Sequence, residues 1–212
     1  QLYGASPAQI EGGILGSVVP MLSGRVLAAL QLLCKARILT VGPGLKSGIK
    51  LRLDNPAQLG AELLCGAVAA LEEGPGPLAV ISADTAISIM AVNGKQELVG
   101  GVILPGPQLS LSALVQKTAQ LPQIDLSAPA SSSILGKNTS ACLQNGFVLG
   151  TAGLLDGLAE RFQAELGPDI RFYATGNLSR TIREACRTPI EYREYLITDG
   201  LYRIWQRNRK GC

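Results

Sequence analysis

The stretch from residue 78 to residue 106 constrains the fold more than any other part of this sequence. It reads LAVISADTAISIMAVNGKQELVGGVILPG, which is three apolar runs separated by two short breaks. Asn93-Gly94 at the second break is a strong sign of a β-hairpin, because a type I′ turn needs positive φ at both central residues. The first break, Ser82 to Ala86, holds small and hydroxyl-bearing residues whose N–H groups can face a phosphate. We therefore expect a three-stranded meander whose first turn is a candidate anion site.

The composition excludes several classes of protein and of chemistry. Hydrophobic residues make up 47% of the 212 residues and charged residues 17%, which indicates a large core in one large domain or two modest ones. A net charge of +3 is too small to argue for a nucleic-acid partner. No apolar run reaches the ~18 residues that a membrane span needs. The sequence has no histidine, which excludes Ser-His and Cys-His nucleophiles and His-ligated metals.

The cysteines point to a reducing compartment. There are five of them, an odd number, widely scattered and without a CxxC pair. This pattern favours reduced thiols over a disulfide framework or a zinc site. We therefore expect a cytoplasmic protein.

Hydrophobic periodicity predicts an α/β arrangement for the rest of the chain. The predicted helices cover residues 21–36, 57–72, 109–119, 139 to about 166, 180–187 and 195–206, and the predicted strands include residues 37–41 and 170–175. Asn55 is the predicted N-cap of the helix at 57–72, and Asn138 or Thr139 caps the helix that follows them. The Gly- and Pro-rich segment 73–77 is the predicted boundary between two domains, residues 1–75 and 76–212.

Five motifs resemble those of the type III pantothenate kinases, which are actin-like kinases, and they follow one another along the chain in the same order as in that family. Residues 81–88 and 100–106 read ISADTAIS and GGVILPG, against Val-Asp-x-Gly-Thr-Ala-Thr-Thr and Gly-Gly-x-Ile-x-Pro-Gly in the family. Residues 41–49, 60–63 and 136–146 read VGPGLKSGI, GAEL and GKNTSACLQNG. The family patterns are Val-Gly-Pro-Gly-x-Lys-Thr-Gly-x, Gly-Ala-Asp-Arg and Gly-Lys-Asn-Thr-x-x-Ala-x-Gln-x-Gly.

The resemblance implies a fold. It is the actin-like, ribonuclease H-like two-domain kinase fold, with a first domain that lacks its opening strands in this chain. The loop that holds the ATP phosphates in the family would precede the first matched strand. We therefore expect this chain to be an incomplete copy of a longer product.

The resemblance also implies a reaction, the transfer of a phosphoryl group from ATP to pantothenate, which is the first step of coenzyme A biosynthesis. Gly60, Ala61, Glu62 and Leu63 lie where the family binds pantothenate, and Glu62 stands at the proton-accepting aspartate. Thr139 stands at a threonine that contacts the substrate. From the residues alone, Glu62 is an exposed carboxylate near a helix N-terminus and Thr139 belongs to a helix cap.

The nucleotide and its cations are implied at the first turn of the meander. Thr85 would contact ATP, which carries Mg²⁺, and Ser82 stands at the aspartate that helps the family to bind K⁺ or NH₄⁺. Asp84 stands at a family glycine and is two residues from Ser82, so the two side chains can share a face of the strand. Asp84 either replaces the missing cation ligand or repels the nucleotide. The family turn Thr-Gly-Gly is Thr175-Gly176-Asn177 here, where asparagine tolerates left-handed backbone.

The departures from the family fall at its functional positions, and three hypotheses stay open. Glu62 replaces an aspartate, Leu63 an arginine, Ser82 an aspartate and Asp84 a glycine. The chain is a pantothenate kinase of impaired activity, a non-catalytic binding or regulatory relative, or a kinase for another small hydroxyl compound. We also expect a homodimer that uses the Gly- and Ala-rich face of the helix at 57–72 or its surroundings, with no nucleic-acid or membrane partner.

Overall fold

The computed structural model describes residues 6–127, 133–178 and 180–209. These residues form eight strands and six α-helices, with short 3₁₀ helices at Pro7–Gln9 and Pro56–Gln58. The strands are β1 (Gly13–Leu15), β2 (Ile38–Thr40), β3 (Lys50–Leu51), β4 (Leu78–Ala83), β5 (Ala86–Val92), β6 (Glu97–Pro105), β7 (Arg171–Gly176) and β8 (Ile190–Tyr192). The helices are α1 (Pro20–Leu33), α2 (Ala61–Glu72), α3 (Pro107–Gln116), α4 (Thr139–Leu166), α5 (Arg180–Ala185) and α6 (Leu196–Asn208).

A six-stranded mixed sheet with the order β3-β6-β5-β4-β7-β8 is the centre of the molecule. β4, β5 and β6 pair antiparallel in sequence order, which confirms the predicted meander. β7 and β8 continue the sheet parallel to β4. A second, two-stranded sheet pairs β1 with β2 in parallel, and α1 connects them.

The central strand β4 is buried on both faces, which explains its continuous apolar run. Leu78 and Val80 belong to a core that also includes side chains of α2 and α6. Ala79 and Ile81 point to the opposite face, into a core formed with α4 and α5. The alternation along one strand therefore serves two cores, one on each side of the sheet.

The hairpin between β5 and β6 is closed differently from the prediction. The residue with positive φ is Gln96 (φ 58°), whereas the type I′ turn would place positive φ at Asn93 and Gly94. Gln96 N–H donates to the Asn93 carbonyl (3.0 Å) and Asn93 N–H to the Glu97 carbonyl (2.9 Å). This is a three-residue loop with a left-handed last residue. The Asn93 side chain accepts from Lys95 and Glu97 N–H, and these bonds favour the longer loop.

The helix predicted at 57–72 is two elements. Asn55 caps the 3₁₀ turn and not the α-helix, because its side chain accepts a hydrogen bond from Ala57 N–H (3.2 Å). Gly60 then adopts extended backbone (φ −61°, ψ 137°), and α2 begins at Ala61. The break places the next residues in the first turn of a new helix.

The small-residue face of α2 is covered within the chain. Its residues 65–70 are buried, and α2 packs against α6 and β4. A Cβ at Gly200 of α6 would overlap the Cys65 backbone, so the two helices approach at backbone distance. This face is therefore packed within the chain. The homodimer stays a prediction, and of the contact regions predicted for it the surroundings of the helix remain.

The sequence predicts reduced cysteines and no membrane-spanning segment. The described cysteines, Cys34, Cys65, Cys142 and Cys186, are free thiols, and Cys212 lies outside the described residues. Within the described part of the chain, we find no helix with the length and apolar character needed to cross a membrane.

Candidate active site

The first turn of α2 carries the candidate catalytic carboxylate. Glu62 is exposed, and as an acidic residue in this turn it interacts favourably with the helix N-terminus. Gly60 is the N-cap and lies beside Val18, which follows β1. Ala61 and Leu63 are buried, at 8% and 7% exposure. Of this predicted substrate-binding group, Glu62 is thus the residue that presents a side chain to solvent.

Leu63 takes part in the core between the sheet, α2 and α6. α2 is apolar over most of its circumference, and Leu63 is one of its buried residues. At the position where the family has an arginine, this chain therefore has a packing residue. Its role in binding substrate stays a prediction.

The end of β4 and the turn that follows it hold three of the predicted residues. Ser82 is half-buried and lies in the sheet opposite Ser88 and Thr175. Asp84 and Thr85 form the exposed turn, in which Asp84 N–H donates to the Ala86 carbonyl (2.9 Å). Of the three, Asp84 lines the cleft described below, whereas Ser82 and Thr85 are not among its described lining residues.

A second turn, after β7, lies against the first. Gly176 has a φ of 83°, so the left-handed residue is Gly176 and not the predicted Asn177. Asn177 N–H donates to the Ala83 carbonyl (2.5 Å), and Asn177 Nδ2 donates to Asp84 Oδ1 (2.9 Å). The side-chain pair was not foreseen. Its signal in the sequence is that both residues stand where the resembling family has glycine.

A cleft of about 290 Å³ opens beside these two turns. It lies at the carboxyl ends of the neighbouring parallel strands β4 and β7, which is where open α/β sheets bind ligands. The described residues that line it are Ala83, Asp84, Pro107, Gln108, Asp125, Leu126, Ser127, Asn177, Leu178 and Ile182. Hydrogen bonds from the Ser127 hydroxyl and N–H (2.7 and 2.9 Å) lower the pKa of Asp125. The cleft therefore carries negative charge.

The N-terminus of α4 places Thr139. Asn138 is the N-cap, and its side chain accepts a hydrogen bond from Ala141 N–H (2.9 Å). Thr139 is the first residue of α4 and is exposed. A Cβ at Gly136 would overlap the backbone of Ala141 and Cys142, so the preceding loop lies directly against the first turn of α4. A helix N-terminus of this kind can accept an anion.

These residues form three separate groups, at α2, at the β4–β5 turn and at α4. Among the described residues, no hydrogen bond or ion pair joins one group to another. The described part of the chain also has no cluster of three or more His, Cys, Asp or Glu side chains that could hold a metal ion. The Ser82 hydroxyl and the Asp84 carboxylate supply oxygen atoms, which are the ligands that K⁺ and Mg²⁺ prefer, so the donor set fits such a cation.

A larger cleft of about 640 Å³ lies beside the Gly-Pro loop at residues 42–44. Its described lining is apolar or neutral, with side chains such as Ile49, Leu51, Leu59 and Leu64. Its described lining has no charged side chain, but Leu59 and Leu64 flank the predicted substrate-binding residues 60–63 in the sequence, whereas none of those residues lines the cleft at β4 and β7.

The fold assigns the chain to a class. In the central sheet the order β6-β5-β4-β7-β8, with a meander followed by parallel strands, is that of the actin-like, ribonuclease H-like domain. A solved structure from Campylobacter jejuni, described as a conserved Baf family transcriptional activator, shares the fold. Its TM-score is 0.57 at 18% identity, and the match covers 95% of this chain and 85% of that one.

Sequence comparison gives the family. The model of the type III pantothenate kinase family matches residues 1–161. The type III pantothenate kinase of Koribacter versatilis is 37% identical over 202 residues, which are 95% of this chain and 73% of that protein. That of Anaeromyxobacter is 37% identical over 209 residues, 99% of this chain and 82% of that protein. The chain belongs to the type III pantothenate kinase family.

Proposed function

We propose that this chain carries out the reaction of its family, the ATP-dependent phosphorylation of pantothenate that opens coenzyme A biosynthesis, at a strongly reduced rate. The observation that carries the proposal is the exposed carboxylate of Glu62 in the first turn of α2, at the position of the family's proton acceptor. Family membership over most of the chain supports the reaction class.

Each group has a role in this proposal. Glu62 accepts the proton of the pantothenate hydroxyl, next to Gly60 and Ala61, and the N-terminus of α4 with Thr139 binds the substrate carboxylate. Thr85 contacts the nucleotide. Ser82 would help to hold K⁺ or NH₄⁺ beside the phosphates, with Asp84 either as a second ligand of that cation or as a carboxylate that repels the nucleotide, while Mg²⁺ accompanies the nucleotide. A bound cation offsets negative charge that develops during the transfer.

The reduced rate follows from the geometry of α2. A glutamate in place of an aspartate moves the carboxylate by about 1.5 Å, and a misplacement of ~1 Å can cost ~10²-fold in rate. Leu63 lies in the core and offers no charge, whereas an arginine donates hydrogen bonds worth roughly 1.5–3 kcal/mol each to a carboxylate. We therefore propose weak pantothenate binding as well as slow transfer.

A coupled assay of ADP release with pantothenate, ATP, Mg²⁺ and K⁺ tests the proposal. We expect turnover at least about 10²-fold below the ~1–100 s⁻¹ of ordinary kinases. Glu62→Asp should raise it, because the shorter side chain restores the family geometry, and Glu62→Gln should lower it by a further ~10²-fold or more. Glu165→Gln makes the same substitution at an exposed glutamate of α4. It is the matched control and should have no effect on turnover.

Two results would contradict the proposal. Turnover in the ordinary range would show that neither Glu62 nor Leu63 limits the reaction. A Glu62→Gln variant as active as the original chain would show that another group accepts the proton.

The second candidate is a non-catalytic relative that binds ligand on the kinase scaffold. It is favoured by the burial of Leu63 and by the two carboxylates, Asp84 and Asp125, that line the cleft. Calorimetric binding of pantothenate or ADP without ADP release, in the original chain and in Glu62→Asp, would support it over the slow kinase.

We further propose that the protein acts as a homodimer in the cytoplasm. Family membership and the pattern of unpaired cysteines support this proposal. The contact surface would lie outside the buried face of α2.

A further inference from the structure

The side chains of Asp84 and Asn177 join the two turns at the edge of the β4–β7 cleft. Asn177 Nδ2 donates to Asp84 Oδ1 at 2.9 Å, and both residues are exposed and line the cleft. Among the described residues, the second oxygen, Asp84 Oδ2, has no hydrogen-bond partner. The position of the carboxylate is thus set by a residue 93 positions away in the sequence.

The backbone under this pair has little room to move. Asn177 N–H bonds the Ala83 carbonyl, and a Cβ at Gly176 would overlap that same carbonyl. On the other side, a Cβ at Gly106 would overlap the carbonyl of Asp84. The turn that carries Asp84 is therefore held between two glycines at backbone distance, so the carboxylate cannot leave the cleft by a small backbone shift.

The charge of the cleft is one-sided. Its described lining has two carboxylates, Asp84 and Asp125, and no lysine or arginine. Asp125 is held in its turn by Ser127, through bonds to the hydroxyl and the N–H. A polyphosphate that enters such a cleft without a cation meets like charge and, among the described lining residues, no compensating cationic side chain.

We propose that Asp84, positioned by Asn177, is a charge selector that admits a nucleotide to this cleft only together with its divalent cation. This inference rests on the proposed function, in which the nucleotide contacts Thr85 of the turn that borders this cleft. Asp84 acts directly on the ligand, whereas Asn177 is a positioning residue that acts through Asp84.

The test is the affinity for ADP, measured by calorimetry at low ionic strength, once with excess Mg²⁺ and once with EDTA. The quantity compared is the ratio of the dissociation constant in EDTA to the dissociation constant with Mg²⁺. Asp84→Asn keeps the shape of the side chain and an oxygen acceptor for Asn177 but removes the charge. We expect it to tighten metal-free ADP binding about four- to tenfold, with little change in the presence of Mg²⁺.

Asn177→Ala separates the positioning role from the charge. We expect a smaller fall of the ratio in the same direction, because the released carboxylate can turn away from the phosphates. In the Asp84→Asn background the same substitution should have no further effect on the ratio, as a double-mutant cycle requires of a residue that acts through its partner. Asp169→Asn, an exposed carboxylate outside the cleft lining, is the control for net charge.

The outcomes separate this inference from the function on which it rests. ADP binding with the same Mg²⁺ dependence in Asp84→Asn as in the original chain overturns the charge selector and leaves the proposed function standing. Absence of ADP binding in every variant and in both conditions overturns the proposed function and the selector with it. Equal tightening by Asp169→Asn would show an effect of net charge and would also overturn the selector.

Discussion

Asp156 is the residue at which burial and hydrogen bonding compete most directly. It lies on α4 at 3% exposure, and its carboxylate accepts hydrogen bonds from Arg187 N–H (3.0 Å) and Thr188 N–H (2.8 Å). Burial by itself would raise the pKa of Asp156, but these hydrogen bonds outweigh it and leave the pKa below its usual range. The carboxylate thus fixes the turn between α5 and β8 to the side of α4.

We expect Asp156→Asn to lower the free energy of unfolding by about 1.5–3 kcal/mol at pH 7, because a carboxamide cannot accept from all of these N–H groups. Since folding lowers the pKa, the contribution is present above the unfolded pKa of ~3.9 and is lost as the pH falls through the folded value. Urea denaturation at pH 7 and at acid pH measures both effects. Asp169→Asn is the exposed control, and a difference that stays constant down to the lowest pH would contradict this account.

The sequence predicted the single residues of the site unevenly. Asn138 caps α4 as expected and Asn55 caps the 3₁₀ turn before α2, because capping depends on neighbours within three residues. The bond between Asp84 and Asn177 depends on the pairing of β4 with β7, which local sequence does not encode. The left-handed residue was assigned to Asn177 although glycine at 176 adopts positive φ at lower cost.

At the scale of elements, long periodic segments were predictable and their ends were not. The meander and the helix from Thr139 to Leu166 agree with the predicted elements. The break before α2 was missed because Asn55-Pro56 is a good helix start and the following residues have helical spacing. The hairpin loop was missed because Asn93 uses its side chain as an acceptor.

The contact between α2 and α6 gives a prediction at this scale. A Cβ at Gly200 would overlap the Cys65 carbonyl and backbone, which cannot move without separating the two helices. We expect Gly200→Ala to lower the free energy of unfolding by about 1–3 kcal/mol or more. Gly153→Ala on α4, where a Cβ meets nothing within 4 Å, should instead raise it by roughly 0.5–1 kcal/mol. Chemical denaturation of both variants provides the comparison, and equal effects would contradict the packing argument.

At the scale of the whole molecule, residues 1–75 and the rest of the chain are connected by more than the segment 73–77. α2 packs on β4 and α6, β3 pairs with β6, and α6 contacts β1. Arg171 donates hydrogen bonds to the carbonyls of Glu73 (3.3 Å), Gly74 (2.8 Å) and Pro75 (2.8 Å). The predicted domain boundary at residues 75 and 76 stays a prediction, and these contacts couple the two sides of it.

We therefore expect one cooperative unfolding transition in urea. The single tryptophan, Trp205 on α6, lies against Gly12 next to β1, so its fluorescence reports the contact between the two parts, whereas circular dichroism reports all helices. The two midpoints should coincide. Arg171→Ala should lower both midpoints together, because it removes charged hydrogen bonds to the connecting segment. We expect the free energy of unfolding to fall by about 1–3 kcal/mol. Arg161→Ala, exposed on α4, should change neither. A fluorescence midpoint at clearly lower urea would show two units that unfold independently, since the Trp205 contact would then be lost while most helices remain folded.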